Sequence, residues 1–591
     1  MGAFALPGIP LQEALLRAYV EYINPSMPLM DLHRFFSIVH CRDGHNGQIS
    51  LLLFQSVMFA AAAFVDMKFL HEEGYKTRKE ARKEFFKKTR LLYDFDYEQD
   101  SLVVVQTLIH MTYWDESPGD KKHSWHWMSL AISLSQSIGL HRQSKCATMT
   151  PLDKRLRKRV WWSCFMRDRI LALGMRRPPM IEDGGFDVLM LSESDFEFQK
   201  LPEGNTPNQL DSVLIKNAEL QQKMAIMCIA AANLCITMGR MLQAQYSVIN
   251  SCTTVAENIT DNNLPSITSQ LRNAGSVHAV ILELNIWADS LPVCCQYRPL
   301  NVSDIRDGNS PIAVQRTLLH LLYQTTIWVL YSPRLVSPLA TQQRTRFFQA
   351  HEMSWRRARD AATKITNMVT ELHQLRLDRF LPTTGVTVIL PAVIMHLVEM
   401  QNTSPQARIE LNQCVCVIEQ LQETYTVADS AAWFISAALG KSVIDMDLSA
   451  GQSTLSLMKN ELLAGVISRA TPPENLPCMG TSKPPVEKAM DQIVKPSVLL
   501  SDTINVSTLD LSTSSLPQHD FKSPEQQKSA SGESDEKPGD IDKLSLNLLQ
   551  SYDDDGWQAG AEINFDVEQW LESHEDNGLN ADVVRDECVN D

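Results

Sequence analysis

Cysteine is the residue type in this sequence with the clearest capacity for metal chemistry, and its spacing argues against a zinc site. A cysteine zinc site needs thiolates held close together, which the spacing Cys-x2-Cys provides within a turn. The chain has 12 cysteines, and none of them shows that spacing. The shortest separations are Cys294 next to Cys295 and Cys414 two residues before Cys416. These positions indicate buried thiols rather than metal ligands.

Other motifs that could carry chemistry are equally incomplete. Gly440-Lys441-Ser442 resembles the end of a phosphate-binding loop, but Ile435 stands where that loop requires its first glycine. His123 and His126 have no carboxylate or cysteine at a helical offset that would complete a metal site. Asp553-Asp554-Asp555 lies in a segment with too little hydrophobic context to form a dry pocket. We therefore expect no catalytic, cofactor-binding or metal-binding residues, and we interpret the chain as a non-enzyme.

The charge is unevenly distributed along the chain. The 591 residues carry 54 basic and 70 acidic side chains, a net charge of −16. Residues 551–591 contribute 13 acidic side chains against the single Arg585, so the remaining chain is nearly neutral. An acidic chain repels the phosphate backbone of nucleic acid, so we expect any DNA contact to be local or absent.

Apolar residues spaced three and four apart dominate the first 463 residues and predict an all-α fold, a large irregular helical array. Trp127, Ala131, Leu134 and Ile138 illustrate the pattern, and Gly139 follows them as the expected left-handed stop. The helices predicted in this way are 12–22, 51–69, 76–93, 101–114, 124–138, 153–173, 221–245, 266–288, 312–331, 352–375, 387–401, 408–425 and 428–439. The longest apolar run, 51–65, is interrupted by polar residues and too short to span a membrane, so we expect no membrane segment.

Composition divides the chain into four parts. Residues 1–200 and 201–470 form the two halves of the helical body, separated by a loop rich in proline, glycine and asparagine. Residues 471–550 contain many prolines and serines and predict a disordered linker. Residues 551–591 combine acidic side chains with Trp557, Phe565, Trp570 and Leu571, a mixture typical of disordered segments that fold onto a partner.

Two basic clusters leave their interpretation open. One runs from Lys76 to Arg90, and the other from Lys154 to Arg159. Each could carry a nuclear-import signal or contact phosphates, and each could equally be the solvated face of a helix whose aromatic residues lie in the core. The second alternative is favoured, because large apolar side chains accompany both clusters.

The most specific motifs lie between residues 124 and 197. They are S-W-H-W-M-S-L-A-I-S-L-S-Q-S-I-G-L-H-R at 124–142, K-R-V-W-W-S-C-F-M-R-D-R at 158–169, A-L-G-M-R-R-P-P-M-I at 172–181 and F-D-V-L-M-L-S-E-S-D-F-E at 186–197. In order and spacing they resemble the middle homology region of fungal-specific transcription factors. The form G-M-R-R-P, the segment 380–397 and the segment 563–571 are similar to the cutinase transcription factor 1 branch of that family.

The resemblance implies an all-α regulatory domain with a nuclear, DNA-associated role in switching on target genes. It also marks a set of structural core residues: Trp127, Gly139, Arg159, Trp161, Trp162, Asp168, Arg177 and Pro178. We interpret the tryptophans as core determinants, since each large buried side chain contributes about 1.5–3 kcal/mol or more. We further predict that Arg176 or Arg177 pairs with Asp168 or Asp187 as a structural clasp.

Members of this family usually carry a six-cysteine binuclear zinc cluster before the helical region, and no such cluster occurs in the given sequence. We therefore expect zinc only in a family module that this chain lacks. DNA contact would be indirect, or through such a module. The expected partners are a coactivator or the general transcription machinery at the acidic tail, and a second copy or a zinc-cluster relative at the helical body.

Together these features predict a nuclear, pathway-specific activator of RNA polymerase II genes in a fungus, acting in lipid or cutin-derived carbon use or in secondary metabolism. Two alternatives remain: an all-α enzyme of terpene-synthase type, and a DNA-binding-deficient scaffold or dominant-negative homologue.

Overall fold

The computed structural model describes residues 2–41, 47–114, 122–143, 149–198, 213–246, 266–332, 344–401 and 404–449. Within these ranges the chain is helical and contains no strand, which confirms the predicted all-α class. The described residues all belong to one compact unit. The predicted linker and the acidic tail both lie entirely outside them, and the division of the body near residue 200 stays a prediction.

The described part of the chain contains the following α-helices in sequence order. They are α1 (Ile9–Tyr22), α2 (Leu32–Cys41), α3 (Leu51–Ala61), α4 (Met67–Glu72), α5 (Arg78–Asp94), α6 (Ser101–Met111), α7 (Ser124–Ser137), α8 (Pro151–Met175), α9 (Val213–Lys216), α10 (Ala218–Tyr246), α11 (Ser266–Asp289), α12 (Ser310–Tyr331), α13 (Arg344–Gln374), α14 (Thr384–Gln401), α15 (Pro405–Gln422) and α16 (Thr426–Ser449).

Two local differences from the sequence-based prediction have clear physical causes. The predicted helix 51–69 is divided into α3 and α4, because the Asp66 side chain accepts a hydrogen bond from the Lys68 amide and begins a new helix. Helix α2 was missed. Its signals are Asp31, whose carboxylate accepts from the Arg34 amide, and the buried pair Phe35 and Phe36.

The helices pack in two connected groups. In the first, α3 packs against α5 and α6, α6 packs against α7, and α7 against α8. In the second, α12 packs against α13, and α14 against α13 and α15. Helix α10 contacts both α8 and α12, and α14 also contacts α8. One continuous hydrophobic core runs through both groups.

Helix α10 is the one described helix that is long and apolar enough to cross a membrane by length and composition. Its most apolar window is 67% buried among other helices, and core helices pass the same test. Its packing between α8 and α12 accounts for its apolar sequence without reference to a membrane.

Candidate functional site

Helix α8 is the central element of the motif region, and its polar side chains reach backbone groups on several other segments. Thr150 caps its N-terminus, Pro151 occupies the first turn, and Asp153 lies where the helix dipole favours an acid. From Arg159 onward nearly every residue of α8 is buried. Because a buried cation needs hydrogen-bond partners, each arginine in this stretch has specific contacts.

Arg159 connects α8 to two segments that are distant in sequence. Its guanidinium donates to the carbonyl oxygens of Asp195, and of Met30 at 3.2 Å, and lies 3.9 Å from the Glu197 carboxylate. Burial lowers the pKa of the guanidinium, and the nearby carboxylates of Glu197 and Asp31 oppose that shift. These contacts hold the loop after α8 against the connection between α1 and α2.

Asp168 and Arg169 form a fully buried ion pair, with Arg169 Nη1 at 2.7 Å from Asp168 Oδ2. The Asp168 carboxylate also accepts from the amides of Met180 and Ile181, both at 3.0 Å. Arg169 Nη2 donates to the Ile181 carbonyl at 2.8 Å. Burial raises the pKa of Asp168, and Arg169 and the two amides oppose that rise. These hydrogen bonds hold the loop after α8 against the helix.

The predicted clasp is therefore wrong for Asp168, whereas a pairing of Arg176 or Arg177 with Asp187, whose carboxylate accepts from the Gln143 amide, stays a prediction. Arg176 is the left-handed residue that ends α8, at φ 52°, and its guanidinium donates to the Leu173 carbonyl instead. Arg177, just before the turn-forming Pro178, stacks over the Trp125 ring at 4.1 Å. Arg169 takes the predicted place because it lies on the inner face of α8, whereas the helix has already ended at Arg176.

The family-motif aromatic residues lie in the core. Trp127, Trp161 and Trp162 are almost completely buried, and Trp162 Nε1 donates to the Leu189 carbonyl at 2.9 Å. Trp161 and Trp162 both pack against Phe186. Gly139 lies just after the end of α7 and has a φ of 71°, the left-handed conformation that its sequence position predicted. These side chains fill space between helices, and their arrangement offers no reactive group.

A small cavity lies beside Arg159, between α1, α2, α8 and α10. Its volume is about 90 Å³, and Glu197, Gln221 and Met224 are among its lining residues. That volume is room for a few waters, whereas pockets for drug-sized ligands usually measure about 300–1,000 Å³. The cavity in this conformation does not accommodate an inducer.

Arg82 and His110 are buried polar residues. The sequence analysis placed Arg82 in the basic cluster from Lys76 to Arg90 and favoured a solvated face there, which is wrong for Arg82; it did not single out His110. Arg82 donates to the carbonyls of Thr424 at 2.7 Å and Tyr113 at 2.8 Å, and thereby joins α5 to the α15–α16 turn. His110 lies between the Tyr19 hydroxyl at 3.0 Å and the Ser56 hydroxyl at 2.9 Å. Burial lowers the pKa of His110 to about 3, so the imidazole is neutral. The only sequence signal for either residue was a polar side chain at an apolar helical position.

The remaining motifs fall in structural roles or outside the described residues. Gly440-Lys441-Ser442 lies within α16, so it forms no phosphate-binding loop. His123 caps α7 by accepting from the Trp125 amide. The predicted activation residues lie outside the described residues, as does Asp553-Asp554-Asp555; those residues are Trp557, Phe565, Trp570 and Leu571.

Three cysteines of α8 and α10 do not suit the zinc cluster of the family. Cys164, Cys228 and Cys235 are buried, and burial raises the pKa of each thiol to about 12. A cysteine ligand must be a thiolate, which these surroundings disfavour.

One group of described residues has donor atoms close enough to hold a metal ion: His396, Glu399 and Glu410, within 4.8 Å of one another. The sequence analysis missed it. The histidine and the first glutamate share a helical face at a spacing of three, but the second glutamate comes from the next helix, a neighbour that the sequence does not reveal.

Comparison with known proteins places the chain in a class. Residues 16–274 match the family described as the fungal specific transcription factor domain. The chain is 50% identical to cutinase transcription factor 1 beta of Fusarium vanettenii, over 99% of this chain and 68% of that relative. It belongs to the fungal-specific transcription factors, in the cutinase transcription factor 1-like branch, and is a pathway-specific transcription regulator rather than an enzyme.

More distant relatives share the helical body. A transcription factor of Fusarium pseudograminearum is 33% identical over 73% of this chain and 48% of its own length. Transcription factor cpaR of Aspergillus oryzae is 30% identical over 73% of this chain and 72% of its own length. No solved structure matches the chain. These names give no support to the terpene-synthase or scaffold alternatives.

Proposed function

We propose that this chain activates genes for the use of cutin-derived or lipid carbon in the fungal nucleus, through an acidic tail carried by a rigid helical body. The observation that carries the proposal is the 50% identity to cutinase transcription factor 1 beta, which extends over 99% of the chain and so includes the tail. Since the chain spans 68% of that relative, the DNA-reading step is assigned to a partner or to a module outside this sequence.

The tail supplies the activating contact in this proposal. Trp557, Phe565, Trp570 and Leu571 would insert into an apolar groove of a coactivator or of the general transcription machinery. The 13 acidic side chains of residues 551–591 would speed encounter with a basic rim around that groove. In this proposal the helical body provides the surface that binds a second copy of the chain or a zinc-cluster relative.

The test is reporter activation by residues 551–591 fused to a heterologous DNA-binding domain. A matched variant replaces the four apolar side chains with alanine and keeps every charge; a second keeps the apolar residues and replaces the acids with their amides. We expect strong activation by the natural tail and at least about tenfold less by the first variant, because the apolar anchors supply most of the binding energy. Equal activity of the natural tail and the first variant would refute the assignment.

The partner and the location are tested in the full chain. A tagged chain expressed in a filamentous fungus should concentrate in nuclei and co-purify with a zinc-cluster protein or with a differently tagged copy of itself. Uniform cytoplasmic signal under inducing and non-inducing carbon sources would contradict the nuclear role.

A further inference from the structure

Three helices of the second group meet around the buried side chain of His396. The histidine and Glu399 lie on α14, Glu410 on α15, and Thr366 and Arg359 on α13. His396 Nδ1 is 3.2 Å from Glu410 Oε2 and 4.0 Å from Glu399 Oε2. The imidazole is 0% exposed and the two carboxylates are nearly buried. An imidazole nitrogen and two carboxylate oxygens therefore face a common point.

The hydrogen bonds on the far side of the ring decide which imidazole nitrogen carries the proton. The Thr366 hydroxyl donates to the Ala362 carbonyl at 3.0 Å, one turn earlier on α13. Its oxygen also lies 2.7 Å from His396 Nε2. With that hydrogen on the Ala362 carbonyl, we assign the imidazole proton to Nε2, which then donates to Thr366 Oγ1. In that tautomer Nδ1 carries a lone pair, and the carboxylates of Glu410 and Glu399 lie 3.2 Å and 4.0 Å from it.

In each carboxylate one oxygen, Oε1, has a donor on the side away from the imidazole. The other oxygen, Oε2, lies nearer the imidazole. Arg359 Nε lies 2.7 Å from Glu399 Oε1, and the Gln406 amide donates to Glu410 Oε1 at 3.2 Å. Toward the imidazole, His396 Nδ1 and Glu399 Oε2 are buried with no hydrogen-bond partner. Two buried polar atoms without a hydrogen-bond partner thus lie beside the Glu410 carboxylate, an arrangement that costs free energy unless a cation or a proton occupies the space.

We propose that His396, Glu399 and Glu410 bind one divalent transition-metal ion of the zinc type. Zinc bonds imidazole nitrogen and carboxylate oxygen at about 2.0–2.2 Å, which places neighbouring tetrahedral ligand atoms roughly 3.3 Å apart. The 3.2 Å between His396 Nδ1 and Glu410 Oε2 already matches that separation. The Glu399 oxygen reaches it by a shift of less than about 1 Å, and water completes the tetrahedron.

The donor set also selects the metal and its role. An imidazole ligand favours zinc and its neighbours over magnesium or calcium, which take oxygen ligands. Thr366 and Arg359 orient the histidine and Glu399 from outside, as supporting residues do in known metal sites. The ion joins α14 to α15, so it is a structural staple within the regulatory body and separate from any DNA-reading zinc cluster.

The test uses the full chain, loaded with zinc chloride, dialysed, and assayed for bound zinc by mass spectrometry and for thermal unfolding with and without a chelator. The variants are His396→Gln and Glu410→Gln. The control is His320→Gln. His320 is a buried histidine of α12 whose imidazole contacts the Cys295 carbonyl, and its replacement leaves every cysteine in place. We expect one zinc bound per chain in the natural protein and the control, and at least about tenfold weaker binding in both site variants.

Cobalt substitution is a second measurement, and it does not require a site variant to fold. Cobalt-loaded natural protein should show the visible absorption of a tetrahedral ion with nitrogen and oxygen ligands. Thiolate charge-transfer bands would instead assign the ion to cysteines and overturn the proposal. Equal zinc content in His396→Gln and the natural protein would also overturn it. So would a natural protein that retains no zinc and unfolds at one temperature with or without chelator, in which case a proton occupies the space.

Discussion

Removing the positive partner of the buried pair on α8 should destabilise the protein severely. In Arg169→Met the Asp168 carboxylate stays 0% exposed and keeps two backbone donors but loses its counter-ion. The Ile181 carbonyl also loses its bond from the guanidinium. Breaking a buried pair on one side typically costs about 3–5 kcal/mol, because it leaves an uncompensated charge in the interior. We expect a loss of that size at pH 7.

The pH dependence of this loss identifies its cause. Burial already raises the pKa of Asp168, and removal of Arg169 raises it further above the unfolded value. A carboxyl group whose pKa is raised in the folded state binds more protons when folded, so its contribution to stability falls as the pH rises through that pKa. The cost of Arg169→Met should therefore shrink as the pH is lowered from 7 towards 5.

The assay is urea unfolding of the full chain, followed by circular dichroism at both pH values. A matched control is Arg356→Met, which removes an arginine that is 70% exposed and paired with Glu352 on the same helix; its cost should stay below about 1 kcal/mol. The double variant Asp168→Asn/Arg169→Met should cost less than the sum of the single variants, since it leaves no buried charge. A loss for Arg169→Met no larger than that of the control would refute the reasoning.

Three further substitutions test other parts of the body by the same unfolding assay. The pKa of His110 is about 3 in the folded protein, so between pH 3 and 6.5 this imidazole binds a proton only in the unfolded chain. The free energy of unfolding should therefore fall by about 2 kcal/mol from this group between pH 7 and pH 5. His110→Gln should remove that part of the pH dependence of stability, and an unchanged pH dependence would contradict it. Arg82→Lys should cost about 2 kcal/mol, because one ammonium cannot replace the guanidinium at both the Thr424 and Tyr113 carbonyls; an unchanged midpoint would exclude that bridge. Gly139→Ala should cost about 1 kcal/mol through its positive φ alone, since nothing lies within 4 Å of an added Cβ, and a gain in stability would disprove the strain.

Helix positions were largely predictable because they depend on residues close together in sequence. Apolar residues at spacings of three and four predicted α5, α7 and α8 to within a few residues of their ends. The left-handed Gly139 followed from its place after the last apolar residue of α7. Local competition was harder to foresee: the Asp66 cap divides one predicted helix in two, although the apolar pattern continues across it.

The amino-acid sequence was sufficient to predict the all-α class, the burial of Trp127, Trp161 and Trp162, the acidic character of the tail and the family to which the chain belongs. The tertiary structure alone decided which polar groups meet. Asp168 pairs with its sequence neighbour rather than with the arginines after α8, and the metal-binding geometry at His396 needs a glutamate from another helix. Hydrophobic periodicity acts over one or two turns. The further partners of these buried groups, Ile181 at Asp168 and Arg169 and Glu410 at His396, come from other segments, which tertiary packing brings within about 3 Å.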